Sequence, residues 1–450
     1  MRYLSILKSL MILLLGANAL SAQGGKEIPD DLPQRKALVQ AIIDDQAKSL
    51  DALYKYLHSH PELSYEEEKT AARLAKELTT LGFDVTTNVG GHGIVGVLKN
   101  GDGPTVLIRT DMDALPIIEN TGLAYASKVR TRDKDGNEVG VMHACGHDMH
   151  MTCWVGTARV LAGLKKHWRG TLVFVGQPAE EVGAGARKML ADGLFKRFPR
   201  PDYCLGLHCD FRIPHGHVGY SESLVLVNVD TIDITVKGKG GHGSAPHTTI
   251  DPIVLAARII LDLQTIVSRE NNPTDPAVVT VGSIHGGTKH NIIPSEVKMQ
   301  LTVRTTKDDV RARVLEAIQR ITKAACVGAR APEPIIRIDQ DNFTPALYNN
   351  AELAKKQAKV FRATLGDDKV HQQEALMGGE DFSRYGREGI PSFFFFLGTC
   401  PPERVEAMLK GKTPLISLHS DLYYPVPEPS FRTGVLSMSM AALHLLKEAK

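Results

Sequence analysis

At 450 residues the chain exceeds what a single hydrophobic core ordinarily organises, so two domains are expected. A formal net charge of +2, with 43% hydrophobic and 23% charged residues, is that of an ordinary globular protein and gives no electrostatic footprint for nucleic acid or an anionic membrane. Six cysteines are too few for a disulfide framework in a chain of this length.

The opening stretch, MRYLSILKSLMILLLGANALSAQ, reads as an export signal over residues 1–22. Arg2 and Lys8 give the positive start, Leu10 to Leu15 the apolar run, and small residues lead to a cut after Ala22. About a dozen apolar residues fall short of the roughly twenty needed to span a bilayer. The mature protein is therefore expected in the periplasm or outside the cell, with no membrane attachment.

A helix is expected from about Leu38 to His58, and a second from about Glu66 to Leu81, ended by Gly82. Short β-rich runs follow: FDVTTN, GIVGVLKN and PTVLIRTDMD. From His147 to about Lys166 the pattern is helical, with His147, His150, Met151, Trp154, Ala158 and Leu161 on one face. TLVFVGQ is a strand, EVGAGARKMLADG a helix and PDYCLGLHC another strand. This alternation predicts an α/β fold, a central mixed sheet with helices on both faces.

Near Ser223 the pattern changes. VDTIDITVKGK, DPIVLAARIILDLQTIV, PAVVTVGSIHG, EVKMQLTVRT, DVRARVLEAIQRITKAAC and PIIRIDQ read in order as βαββαβ, the ferredoxin-like plan. Residues 223–338 are thus expected as an inserted domain, with 23–222 and 339–450 forming the larger one. Helix and strand resume at AELAKKQAKVFRATLG, and SFFFFLG is expected as a buried strand.

The chemistry concentrates in MHACGHDMH. Cys145 and His147 stand two apart where a loop enters a helix, and a thiolate with a neutral imidazole suits zinc, manganese or cobalt. In VFVGQPAEEVGAG, adjacent Glu180 and Glu181 follow a strand end, where open α/β sheets place their sites. One carboxylate of such a pair can ligate a metal while the other takes a proton from water. His208 in CLGLHC and His419 in PLISLHS end comparable apolar runs. Five potential ligands exceed the four of a structural zinc and fit two ions better. In VLIRTDMDALP, Asp111 and Asp113 share one face. Asp113 is the candidate to accept the second N–H of a metal-bound imidazole.

Other readings stay open on residues alone. Glu180 and Glu181 could simply favour a helix N-terminus, Cys145 could be a nucleophile, and the site could store metal without catalysis. The glycines around His242 in GKGGHGSAPH could serve a bulged hairpin. Asn291 could cap the turn before Pro294, and Arg304 could be a strand-edge charge. Glu380 and Asp381 in GGEDF are expected as helix caps.

Taken in order, DMDALP, HACGHDMH, QPAEE, GLH, GKGGHGSAPH, NIIP, the Arg-Thr of TVRT, GGEDF and LHS resemble a metallopeptidase family. The sequence looks like its branch of hippurate hydrolases and indole-acetyl-amino-acid amidohydrolases, related to aminoacylases and glutamate carboxypeptidases. The resemblance implies a zinc-peptidase-like catalytic domain and an inserted lid that pairs two subunits into a homodimer. It implies two divalent metal ions per subunit, held by Cys145, His147, Glu181, His208 and His419. Glu180 would be the general base on water activated by those ions and then the proton donor to the leaving amine. His242 would stabilise the oxyanion in a partner's site, and Asn291 and Arg304 would hold the substrate carboxylate. The implied substrate is a small N-acyl amino acid; short peptides, cut by a carboxypeptidase or dipeptidase activity, are the alternative.

Overall fold

A computed structural model describes residues 31–133, 136–339 and 343–448. The export signal expected at residues 1–22 lies outside them. None of the described helices is long and apolar enough to cross a membrane, and all six cysteines are buried and unpaired.

The larger sheet runs in the order Asp84–Val89, Gly93–Asn100, Trp168–Gln177, Thr105–Asp111, Tyr203–Pro214, Ser392–Cys400, Val218–Tyr220, Val370–Gln372. Its four central strands, from Trp168–Gln177 to Ser392–Cys400, are parallel; Gly93–Asn100 and Val218–Tyr220 run antiparallel beside them, and the outermost Val370–Gln372 runs parallel to Val218–Tyr220. Alternation along each strand feeds two cores. Ile108, Phe174, Phe393 and Phe395 face helices Leu32–Ser59, His147–Gly163 and Pro427–Leu445. Leu107, Val173, Phe394 and Phe396 face the opposite layer with Met189, Leu194 and Tyr385. A strand buried on both faces must be apolar throughout, which is why SFFFFLG carries no polar alternation. Burying each of these large side chains contributes about 1.5–3 kcal/mol.

Three helices of this unit differ in extent from expectation. The first starts six residues early, at Leu32, because Pro33 fits the first helical turn. The helix from His147 stops at Gly163. The helix expected over EVGAGARKMLADG forms only over Gly185–Ala191. Ahead of it, Ala179 and Gly183 have φ of 53° and 65°, and this turn keeps the two glutamates off the helix.

The second sheet is antiparallel in the order Ala277–His285, Glu296–Thr305, Asn228–Lys237, Ile335–Ile338, with helices Pro252–Thr265 and Asp308–Gly328 on one face. In chain order this is the ferredoxin-like arrangement. Ile232, Ile234, Met299, Leu301 and Val303 pack against Leu255, Ile259, Val314 and Ile318 in a core of its own. Its other face, with Thr231, Asp233 and Arg304, looks toward the larger sheet across a cleft.

Candidate metal centre

The carboxyl edge of the parallel strands gathers the site, as expected for open α/β sheets. Thr105–Asp111 runs out into Met112 and Asp113, Trp168–Gln177 into Glu180 and Glu181, and Tyr203–Pro214 carries His208. Helix His147–Gly163 begins at the same edge. Gly146 before it has φ 84°, a conformation that favours glycine, and a Cβ there would press on Cys209 Sγ at 3.0 Å. His419 arrives on a loop with φ 65°, its N–H donating to the Ala144 carbonyl at 2.9 Å. A non-glycine residue in that region persists only when its surroundings hold it.

All five ligands predicted from sequence converge. Cys145 Sγ lies 3.4 Å from His208 Nε2 and 3.3 Å from His419 Nε2. The Glu181 carboxylate is 3.5 Å from His419 Nε2 and 3.8 Å from His147 Nε2, and that of Glu180 is also 3.8 Å from His147 Nε2. Cys145 belongs to two donor triads, one with His147 and His208 and one with Glu181 and His419. Together these side chains would hold two divalent ions. Among the described residues the buried atoms His147 Nε2 and Glu181 Oε1 have no hydrogen-bond partner, which divalent ions would supply. The second nitrogens are already committed: His147 Nδ1 contacts the Asp113 carbonyl oxygen at 2.7 Å and His208 Nδ1 that of Cys209 at 2.8 Å. Each imidazole therefore presents Nε2 to the cluster. The residues fit a dinuclear centre, and sulfur, nitrogen and oxygen together suit zinc, manganese or cobalt.

The electrostatics agree. Burial alone would lower the His147 pKa, but Asp111, Asp113 and Glu181 push it up to about 10, the mark of a pocket that attracts positive charge. Burial, then Glu380, Glu181 and Asp381, hold Glu180 well above the usual carboxylate range. Such a group holds a proton more readily than an ordinary carboxylate does. Burial, then Glu181, Glu180 and Asp111, also raise the Cys145 thiol, the opposite of what an unaided cysteine nucleophile requires.

The remaining predicted residues divide. Asp113 is in place, but its carboxylate lies 3.6 Å from His147 Nδ1. Its oxygens instead accept the N–H groups of Glu180 at 3.1 Å and Glu181 at 3.0 Å, and the Ser64 hydroxyl at 2.6 Å. Arg304 lines a cleft of about 810 Å³ together with Cys145, Glu180, Glu181, His208 and His419. Among the described residues its guanidinium bonds the Thr302 hydroxyl and the Met377 carbonyl, and burial lowers its pKa. His242 and Asn291 do not line the cleft of their own chain. They sit together on an exposed ribbon, where His242 Nδ1 accepts the Ser244 N–H and the Asn291 carbonyl accepts the Gly243 N–H.

Sequence reasoning missed a buried charge network beneath the ligands. Arg109 binds Asp111, Glu380 and Asp381. The last two are thus more than the helix caps expected, although Glu380 does accept the Phe382 N–H. A lone arginine in the apolar run VLIRTD was the available signal. His150 lies on the same helix face as His147. Its Nδ1 bonds Asp111 at 2.7 Å and its Nε2 accepts the Cys209 N–H at 2.8 Å, so neither nitrogen remains for a metal.

Residues 107–411 match the profile of peptidase family M20/M25/M40. Thermostable carboxypeptidase 1 of Saccharolobus solfataricus is 37% identical over 76% of this chain and 84% of its own length. The IAA-amino acid hydrolase ILR1-like 2 of Arabidopsis thaliana is 36% identical over 81% of this chain and 80% of its own. A Bacillus subtilis structure described as a dinuclear metal-binding peptidase of the M20 family superposes with a TM-score of 0.72 at 30% identity, covering 90% of this chain and 99% of that one. With the ligand set and sheet arrangement above, the chain belongs to peptidase family M20/M25/M40 and is a metal-dependent hydrolase of amide bonds.

Proposed function

We propose that this protein is an exported amidohydrolase that cleaves the amide bond of N-acyl amino acids, with Glu180 as general base. The observation carrying this reading is the pairing of two adjacent glutamates at one imidazole, with Glu181 among the metal donors and Glu180 beside them, its proton affinity raised by burial. A metal-storage site has no use for the second carboxylate. Divalent ions, when bound, lower the pKa of water and polarise a carbonyl. Glu180 takes the proton from the attacking water as the new C–O bond forms. It then gives that proton to the amide nitrogen as the C–N bond breaks, leaving a carboxylate and a free amine.

Arg304 supports a substrate with a free carboxylate, because its half-buried guanidinium lines the cleft and its hydrogen bonds among the described residues go to neutral groups. The proposed assembly is a homodimer through the inserted domain, residues 223–338, in which Asn291 and His242 complete the site of a second copy. His242 would there donate to the developing oxyanion. In favour stand the exposure of that ribbon and the open edge of strand Ala277–His285, with Leu261 and Val254 exposed on the neighbouring helix. Short peptides share the free carboxylate, and the carboxypeptidase relative favours them as the second reading.

The test is amine release from a panel of N-acyl amino acids and dipeptides by wild type and Glu180→Gln, each loaded with zinc, manganese or cobalt. Glu180→Gln is expected to keep its metal and lose at least about a hundredfold in turnover. Full activity in that variant refutes the role of Glu180, and activity confined to dipeptides selects the second reading.

A further inference from the structure

Glu180 and Glu181 are neighbours in sequence, yet both carboxylates reach His147 Nε2. On a regular strand adjacent side chains point to opposite faces, so the backbone must turn just ahead of them. It does so at Ala179, whose φ of 53° is a conformation alanine keeps only when held. The Ala179 carbonyl accepts the Ala184 N–H at 3.3 Å and the Gly185 N–H at 3.1 Å, and its own N–H is held by Glu67. Glu67 Oε1 accepts the Ala179 N–H at 2.8 Å and the Tyr65 N–H at 2.9 Å. The Asp113 carboxylate takes the next two N–H groups, those of Glu180 and Glu181. Three successive amides are thus fixed by two carboxylates from separate segments.

Glu67 is itself immobile. It is fully buried, and its carbonyl accepts the Ala71 N–H as helix Glu68–Thr80 begins. The loop before it is tied to the Asp113 segment, by the Ala114 N–H on the Glu62 carbonyl at 2.8 Å and by the Ser64 hydroxyl on Asp113. Among the described residues its second oxygen has no hydrogen-bond partner. Burial and then Asp113 push its pKa up to about 7, so an uncharged side chain of the same shape is compatible with the site.

We propose that Glu67 is a positioning residue for the hydrolysis: by accepting the Ala179 N–H it locks the turn that aims Glu181 at the metals and Glu180 at the water. This rests on the roles proposed above for the two glutamates. What it requires of residue 67 is an acceptor oxygen at full glutamate reach, so Gln should serve, and Asp, one methylene short, should not.

The experiment compares full-length wild type, Glu67→Gln, Glu67→Asp and Glu67→Ala. Zinc affinity is measured by equilibrium dialysis and kcat and KM by amine release, with the melting temperature confirming that each variant folds. Glu67→Gln is expected within about threefold of wild type in kcat and zinc affinity. Glu67→Asp and Glu67→Ala are expected to lose about tenfold or more in both, with KM little changed, as misplaced ligands and bases do. The proposal is overturned if Glu67→Asp outperforms Glu67→Gln, which would make charge the requirement, or if folded Glu67→Ala matches wild type. If Glu67→Ala does not fold, the order of Gln and Asp decides. If wild type releases no amine from any substrate, the proposed function fails, while zinc affinity still tests Glu67.

Discussion

Replacing Arg109 with methionine removes the cation from the most densely charged region of the core. Its guanidinium makes five hydrogen bonds: to Asp111 at 2.8 Å, to the two Glu380 oxygens at 2.8 and 3.3 Å, to Asp381 at 3.0 Å and to Gln177 at 3.1 Å. Summed at about 1.5–3 kcal/mol each, they would overstate the loss, because the orphaned carboxylates can take up protons instead. Protonating a carboxylate of ordinary pKa near 4 costs roughly 4 kcal/mol at pH 7 and roughly 1.4 kcal/mol at pH 5. Asp381, already pushed up to about 7 by burial, adds little. Arg109→Met should therefore cost about 3–5 kcal/mol at pH 7.5, the range for breaking a buried ion pair, and about 2 kcal/mol less at pH 5. The sign follows from linkage: a carboxyl whose folded pKa exceeds its unfolded value makes stability fall as pH rises. The only two tryptophans, Trp154 and Trp168, are buried in the core of the larger sheet, so intrinsic fluorescence during urea unfolding reports that unit. Variant and wild type are compared at each pH. A loss below about 1 kcal/mol at pH 7.5, or the same loss at both pH values, refutes the reasoning.

Two further outcomes are expected. His58 bonds Asp148 at 2.6 Å and Glu119 at 3.0 Å; burial opposes its charge, but the two carboxylates raise its pKa to about 9. The stabilisation, about 3 kcal/mol for that shift, is complete below pH about 6.5 and lost as pH rises through 9. Histidine NMR, assigned with His58→Gln, should show a midpoint near 9, and one near 6.5 contradicts it. Chelation should abolish hydrolysis and lower the melting temperature, and two equivalents of a divalent ion should restore both. Hydrolysis that survives chelation but stops on alkylation would instead make Cys145 the nucleophile.

The two sheets were legible in the sequence because strand and helix periods leave different apolar patterns. Phe393 to Phe396 announce a strand buried on both sides, and residues 228–338 spell out a βαββαβ unit. Helix ends were less legible. The helix over EVGAGARKMLADG is shorter than its propensity predicts, because propensity says nothing of the distant Glu67 that accepts the Ala179 N–H.

The sequence by itself determined which donors exist, and the chemistry of Cys145, His147, Glu181, His208 and His419 was enough to name them. Only the tertiary structure decided which polar groups answer one another. It spent both nitrogens of His150 on Asp111 and Cys209, and gave the Asp113 carboxylate to two backbone amides. It also sank Arg109 among carboxylates drawn from residues 111, 380 and 381. A ligand's capacity resides in its own side chain. A hydrogen bond or ion pair depends on where the chain brings its partner, and Arg109 meets Asp381, 272 positions away, at 3.0 Å.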